Sequence, residues 1–346
     1  MDNTLKKALN FLLFFVLAAL LLYFAFVNVN FSVIINGFKQ ANYFWVFLSL
    51  VVGAFSHFIR SLRWRLLIEP LGKRPSIKNT FGSVMIGYLA NLAFPRLGEV
   101  TKCGTLRKTE NISFESLLGT VIVERASDML MLLISLLAVF FIKIDFFGYF
   151  ITHQIFKPLF DKATGFSYIS IILIIAFLLF GIVILYLIKI NLFGARIKSK
   201  VKGLYYGVVD GLKSILRMRN RALFIFYSFL LWSLYWVMTW LLVFSTAPTS
   251  HLTLIDGLFL MVVGSFGMVV PVQGGFGAFH IITAMGLGIY GVSREEGLVF
   301  ATISHESQTL LLIILGIIFM AIFFFGKKRK NPLEGVTQKT ESTLIH

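Results

Sequence analysis

Six stretches of this chain, at residues 9–27, 43–62, 122–142, 170–188, 222–245 and 299–325, stay apolar for about 20 residues or more, the length a helix needs to cross about 30 Å of hydrocarbon. A backbone inside lipid must satisfy its own hydrogen bonds, so such runs fold as helices. The composition agrees: 58% of residues are hydrophobic, 14% are charged and the mean hydropathy is +0.85, whereas soluble domains carry roughly 25% charge. The first run follows Lys6 and Lys7 and has no small-residue cleavage site after it, so it reads as a retained anchor. The polar residues 327–346 read as a disordered cytoplasmic tail on a single membrane domain over 1–326.

Three further apolar pieces, 80–95, 254–270 and 277–291, are short. At 1.5 Å per residue they reach only about 24, 25 and 22 Å. Lysine and arginine near span ends stay in the cytoplasm, which places Lys6 and Lys7, the segment carrying Arg60, Arg63, Arg65, Lys73, Arg74 and Lys78, and the basic stretch 189–221 on one side. A crossing at 80–95 would put three crossings between two cytoplasmic loops, which parity forbids unless 80–95 is a short crossing helix and a later span is miscounted. The segment therefore reads as a cytoplasmic re-entrant hairpin that turns at Phe94, Pro95, Arg96, Leu97, Gly98 and Glu99.

The second half mirrors the first. Pro271 is followed three positions later by Gly274, as Pro95 is by Gly98, and Gly275 extends that turn. Each half, about 1–142 and about 170–326, runs span, span, short Pro/Gly segment, then a long span with internal ionisable groups. The fold class is an all-α integral membrane protein with about six full transmembrane helices and two re-entrant helical hairpins in an inverted-repeat arrangement, an architecture used by transporters. If 254–270 and 277–291 each cross, parity is also satisfied and eight transmembrane helices result. Lys327–Lys330 place the C-terminus, like the N-terminus, in the cytoplasm.

Ionisable groups at membrane depth are costly, about 2.5 to 3.5 kcal/mol each on insertion scales, and should be paired or face water. Glu124 and Asp128 lie four apart on one helical face, and Arg125 can pair with Asp128. Arg96 offers a planar fork of donors suited to phosphate, and Glu99 is its local partner. With Asn91 these residues read either as a structural salt-bridge knot and hairpin pin or as a headgroup site or gate on the cytoplasmic side, while Gln273, His280, His305 and Glu306 line the other side. Histidine titrates near neutral pH, so His305 and Glu306 read either as a packed pair or as a proton site. Arg60, Arg63 and Arg65 read as anchors whose side chains reach the headgroups. Apolar residues recur every three or four positions over 195–221, with basic residues between them, as in an interfacial helix on anionic lipid.

Several classes are disfavoured. Cys103 is the single cysteine, and the six histidines have no HExxH-type spacing, so no disulfide, metal or cofactor is expected. The net charge of +16 follows from the cytoplasmic loops and does not indicate nucleic acid. GGFG lacks the GK[ST] of a nucleotide-binding loop.

RSLRWRLLIEPLG (60–72), GYLANLAFPRLGEV (87–100), ERASD (124–128) and PVQGGFGAF (271–279) together resemble the lysylphosphatidylglycerol synthase and flippase transmembrane family, also called dolichol-phosphate-glucose-synthetase-like. The resemblance implies a lipid-translocating domain in the inner membrane. The separate soluble domain that performs aminoacyl transfer in two-part members has no counterpart here, and His280 stands where members often have Glu. The reading is translocation of an amphipathic lipid with an anionic or phosphate-bearing headgroup. The alternative is a membrane-embedded transferase acting on a phospholipid or polyprenyl phosphate. Expected partners are anionic phospholipids, with a homodimer or a lipid-modifying enzyme as further associations.

Overall fold

The computed structural model describes residues 3–27, 29–94, 97–143, 218–270 and 272–325. The span expected at 170–188, most of the amphipathic stretch, the tail, and the turn residues Pro95, Arg96 and Pro271 lie outside the described residues. Among those described there are ten α-helices and no strand: α1 Asn3–Phe26, α2 Phe31–Gln40, α3 Tyr43–Ile68, α4 Ile77–Ala93, α5 Leu97–Glu110, α6 Phe114–Ile142, α7 Arg221–Val243, α8 Leu254–Val269, α9 Ala278–Gly288 and α10 Arg294–Phe325. α3 (with the short turn after it, to Leu71), α6, α7 and α10 are each long and apolar enough to cross a membrane. The last twelve residues of α1 and the whole of α2 make an apolar pair bent by 90°. The protein is a multi-pass membrane protein.

The helices start where short polar side chains take over orphaned amide protons. Asn42 accepts from Phe44 N–H, Ser76 from Asn79 N–H and Ser113 from Ser116 N–H, and Thr253 with Asp256 forms a capping box at α8. These caps set boundaries that hydropathy does not. α6 begins eight residues before the apolar window expected at 122, and α3 runs to Ile68 rather than 62, because polar residues in both extensions are buried against partners.

α4 and α5 form an antiparallel pair. Asn79 donates to the Glu110 carboxylate at its base (2.7 Å), and Gly98 N–H donates to Asn91 Oδ1 at its tip (2.6 Å). A Cβ on Gly98 would lie 2.3 Å from the Gly87 carbonyl oxygen, so the arms touch backbone to backbone. The turn is shorter than expected. Leu97, Gly98 and Glu99 already belong to the first turn of α5, and Gly98 serves this close approach instead of the reversal.

α8 and α9 form a second antiparallel pair. Gly267 meets the Phe279 backbone, and Gly286 meets Val263. Gly274, Gly275 and Gly277 turn the chain between the arms with φ of 57°, 79° and 79°, conformations that only glycine adopts at little cost.

The bases of the two pairs sit at opposite ends of α6. Glu110 immediately precedes α6, whereas Lys143, just after it, pairs with Asp256 at the start of α8. α6 has 29 residues, which is about 44 Å of helix. The tips meet between these ends, where a Cβ on Gly274 would sit 3.2 Å from Leu92 Cδ2. α3 and α7 run antiparallel alongside, linked by Ser49 Oγ to the Met238 carbonyl and by Asn42 N–H to the Ser245 carbonyl.

Large apolar side chains face outward. Phe44, Phe47, Val51 and Phe55 form one exposed stripe on α3, and Leu310, Ile314, Ile317 and Ile318 form another on α10. Such stripes would drive aggregation in water and are stable against acyl chains.

Candidate functional site

The acids on α6 meet cations from two other helices. Glu124 and Asp128 share a face, as do Arg60 and Arg63 three apart on α3, and the two faces pack together. Arg60 Nε donates to Glu124 Oε1 (2.8 Å), its Nη2 pairs with Asp128, and its Nη1 donates to Tyr235 Oη (3.0 Å). Arg63 Nη2 donates to Asp128 Oδ1 (2.6 Å). Lys102 Nζ on α5 donates to Glu124 Oε2 (2.6 Å) and lies 4.4 Å from the centre of the Trp64 ring, whose Nε1 is held by Thr120. Arg63 and Glu124 are each 0% exposed, while the Asp128 side chain keeps 16% of its surface open, so the knot is buried with one carboxylate at its edge.

Two sequence expectations are corrected here. Arg125 sits about 100° around the helix from Glu124 and pairs with Glu99 (3.0 Å), leaving Asp128 to Arg60 and Arg63. Arg60 and Arg63 do not reach out to headgroups. They turn inward because the two carboxylates repay the desolvation that an anchoring arginine avoids. Glu99 therefore has a partner on α6, and Arg96 is outside the described residues.

The knot holds three cations, Arg60, Arg63 and Lys102, against two carboxylates, and the Arg125–Glu99 pair beside it adds no net charge. Among the described residues one positive charge is left over. A narrow crevice beside it is lined by Arg60, Tyr88, Asn91, Glu99, Lys102 and Arg125 and measures about 10 Å³, about the least that holds a single water. Asn91 belongs to this site, but its oxygen is already used by Gly98 N–H.

On the other side of the touching tips, His280, His305 and Glu306 converge. His305 Nε2 is 2.7 Å from the Gly274 carbonyl oxygen and its Nδ1 is 2.9 Å from Glu306 Oε1, while His280 Nε2 is 3.5 Å from that same oxygen. Gln273 is buried in the turn, and its Nε2 has no protein partner. Lys102 and Tyr235 were not among the expected site residues. The one sequence signal for Lys102 is a lysine placed next to Cys103, in a helix that tucks both residues inside.

A family model for the lysylphosphatidylglycerol synthase TM region matches residues 11–316. The chain belongs to that family. A UPF0104 membrane protein of Methanocaldococcus jannaschii is 24% identical over 304 residues, covering 80% of this chain and 84% of its own length. No solved structure gives a significant match. The family match takes in both helix pairs and the whole ion-pair knot, so the membership rests on the segments that build the site.

Proposed function

We propose that the protein translocates an amphipathic lipid with an anionic, phosphate-bearing headgroup across the cytoplasmic membrane, with both termini in the cytoplasm. The observation that carries the reading is the surplus positive charge in the buried knot beside the first helix pair. A buried uncompensated charge costs several kcal/mol. A phosphate diester bears one negative charge, and an arginine fork binds it in a bidentate manner. Arg125, whose side chain is 46% exposed at the mouth of the crevice, makes the first contact, and Arg60 and Lys102 receive the headgroup within.

Helix pairs rooted at opposite ends of α6 and touching at their tips support two inverted re-entrant halves around a central route. The headgroup enters when the α4–α5 pair moves, while the acyl tails stay in lipid. In the first site the transferase alternative finds no free carboxylate, because Glu124 and Asp128 are both engaged by cations.

Proteoliposomes carrying fluorescent phosphatidylglycerol or phosphatidylcholine, quenched from outside, test the reading. We expect transbilayer exchange of the anionic probe above that of empty vesicles, slowed about tenfold by Arg125→Ala, the equivalent of about 1.4 kcal/mol. Exchange no faster than in empty vesicles sinks the proposal, and exchange unaltered by Arg125→Ala removes the site assignment.

A further inference from the structure

We propose that His280, His305 and Glu306 bind a divalent transition-metal ion of the Zn²⁺ class, tying α9 to α10 behind the second turn. The Gly274 carbonyl can only accept, so His305 Nε2 must carry the hydrogen that bridges their 2.7 Å separation. A neutral His305 then turns the lone pair of Nδ1 toward the Glu306 carboxylate, 2.9 Å away. Two acceptors at that distance repel unless something positive lies between them.

A proton would satisfy that one junction and leave the third group out. His280 is 1% exposed, its Nδ1 has no protein partner, and its Nε2 points at the same Glu306 oxygen from 3.5 Å, beyond a good hydrogen bond. An ion at the centre serves all three atoms together. One ligand atom from each residue lies within 4.8 Å of the other two. Ligand edges in a tetrahedral site with bonds of 2.0 to 2.1 Å are about 3.3 Å, which the 2.9 and 3.5 Å separations bracket.

The surroundings fit the same chemistry. A metal-bound imidazole typically donates its other N–H to a carbonyl, which fixes tautomer and ring orientation, and the left-handed Gly274 supplies that carbonyl. Phe276 and Phe279 pack on the His305 ring at 5.0 and 5.1 Å, and Phe26 lies 6.1 Å from the His280 ring, an apolar wall that keeps competing water away. The Glu306 side chain is 39% exposed, which gives an entry path and an open fourth position. Two imidazoles and a carboxylate suit Zn²⁺, Co²⁺ or Ni²⁺ better than the all-oxygen shells of Mg²⁺ or Ca²⁺.

Tag-free full-length protein in detergent, titrated with Co²⁺ and followed by visible d–d absorption, tests this without reference to lipid movement. We expect one Co²⁺ per chain in a four-coordinate environment, displaced by Zn²⁺. Glu306→Gln, a size-conserving change at a partly exposed position, is expected to weaken binding at least about tenfold, as is His305→Gln, while His251→Gln on the exposed loop leaves it unchanged. Size-exclusion elution checks that the variants remain folded. Absence of Co²⁺ uptake by the wild-type chain overturns the proposal, as does uptake that Glu306→Gln does not alter. The second result would leave the His305–Glu306 junction with a shared proton only.

Discussion

Lys102 is an unusual residue for a membrane helix, a lysine 5% exposed whose ammonium meets one carboxylate oxygen and one aromatic face. Removing one member of a buried ion pair strands the other, at a cost of about 3 to 5 kcal/mol. Glu124→Gln is therefore expected to lower the thermal unfolding midpoint in detergent sharply, because it leaves three buried cations against Asp128 alone and strands Lys102 of α5. Lys108→Met, on an exposed position of the same helix, should stay within about 0.5 kcal/mol of wild type. The acids of this knot were legible in the sequence, because two carboxylates at i and i+4 in an apolar run demand compensation. Their partners were not. Arg60 and Arg63 precede Glu124 by about sixty residues, and no local rule separates an arginine that anchors a span from one that folds back into it. His280, His305 and Glu306 were each singled out, but the carboxylate oxygen shared between two imidazoles comes from a tertiary approach that spacing along the chain does not encode.

At the scale of elements, glycine decides how closely the arms of each pair approach. Gly98 and Gly104 lie on the same helix, yet a Cβ on Gly98 would collide with the Gly87 carbonyl and Asn91, whereas one on Gly104 would meet nothing within 4 Å. Gly98→Ala is expected to destabilise by about 1 to 3 kcal/mol through overpacking. Gly104→Ala should be neutral or stabilising by up to about 1 kcal/mol, since alanine is the better helix former. Chemical denaturation of the two variants side by side checks the contrast. The Pro/Gly punctuation announced that a break was present near residue 95, and the helix on each side of it agrees. It did not fix where the second arm begins, because Gly98 carries the same letter whether it turns the chain or lets two backbones meet. Capping residues were the better guide to starts. Ser76 and Ser113 each stand immediately before a helix whose apolar stretch alone would place the start later.

For the whole molecule, class and family were plain from hydropathy and motif order, whereas the arrangement of the pairs needed the contacts at the two ends of α6. In a Cys103→Ser background, single cysteines at Asn111, beside the base of the first pair, and at Ser250, before the second, are expected to react with a membrane-impermeant thiol reagent from opposite faces of the membrane. Labelling of both from one face would contradict an inverted arrangement. Counting spans by charge reached the same separation of ends, because lysine and arginine cluster where α3 finishes and before α7 begins, but it carried no information on depth. The approach of Leu92 to the Gly274 turn brings the two tips together and a mechanical constraint with them. Two fingers that touch tip to tip share one space, so neither can advance toward the other unless its neighbour gives way.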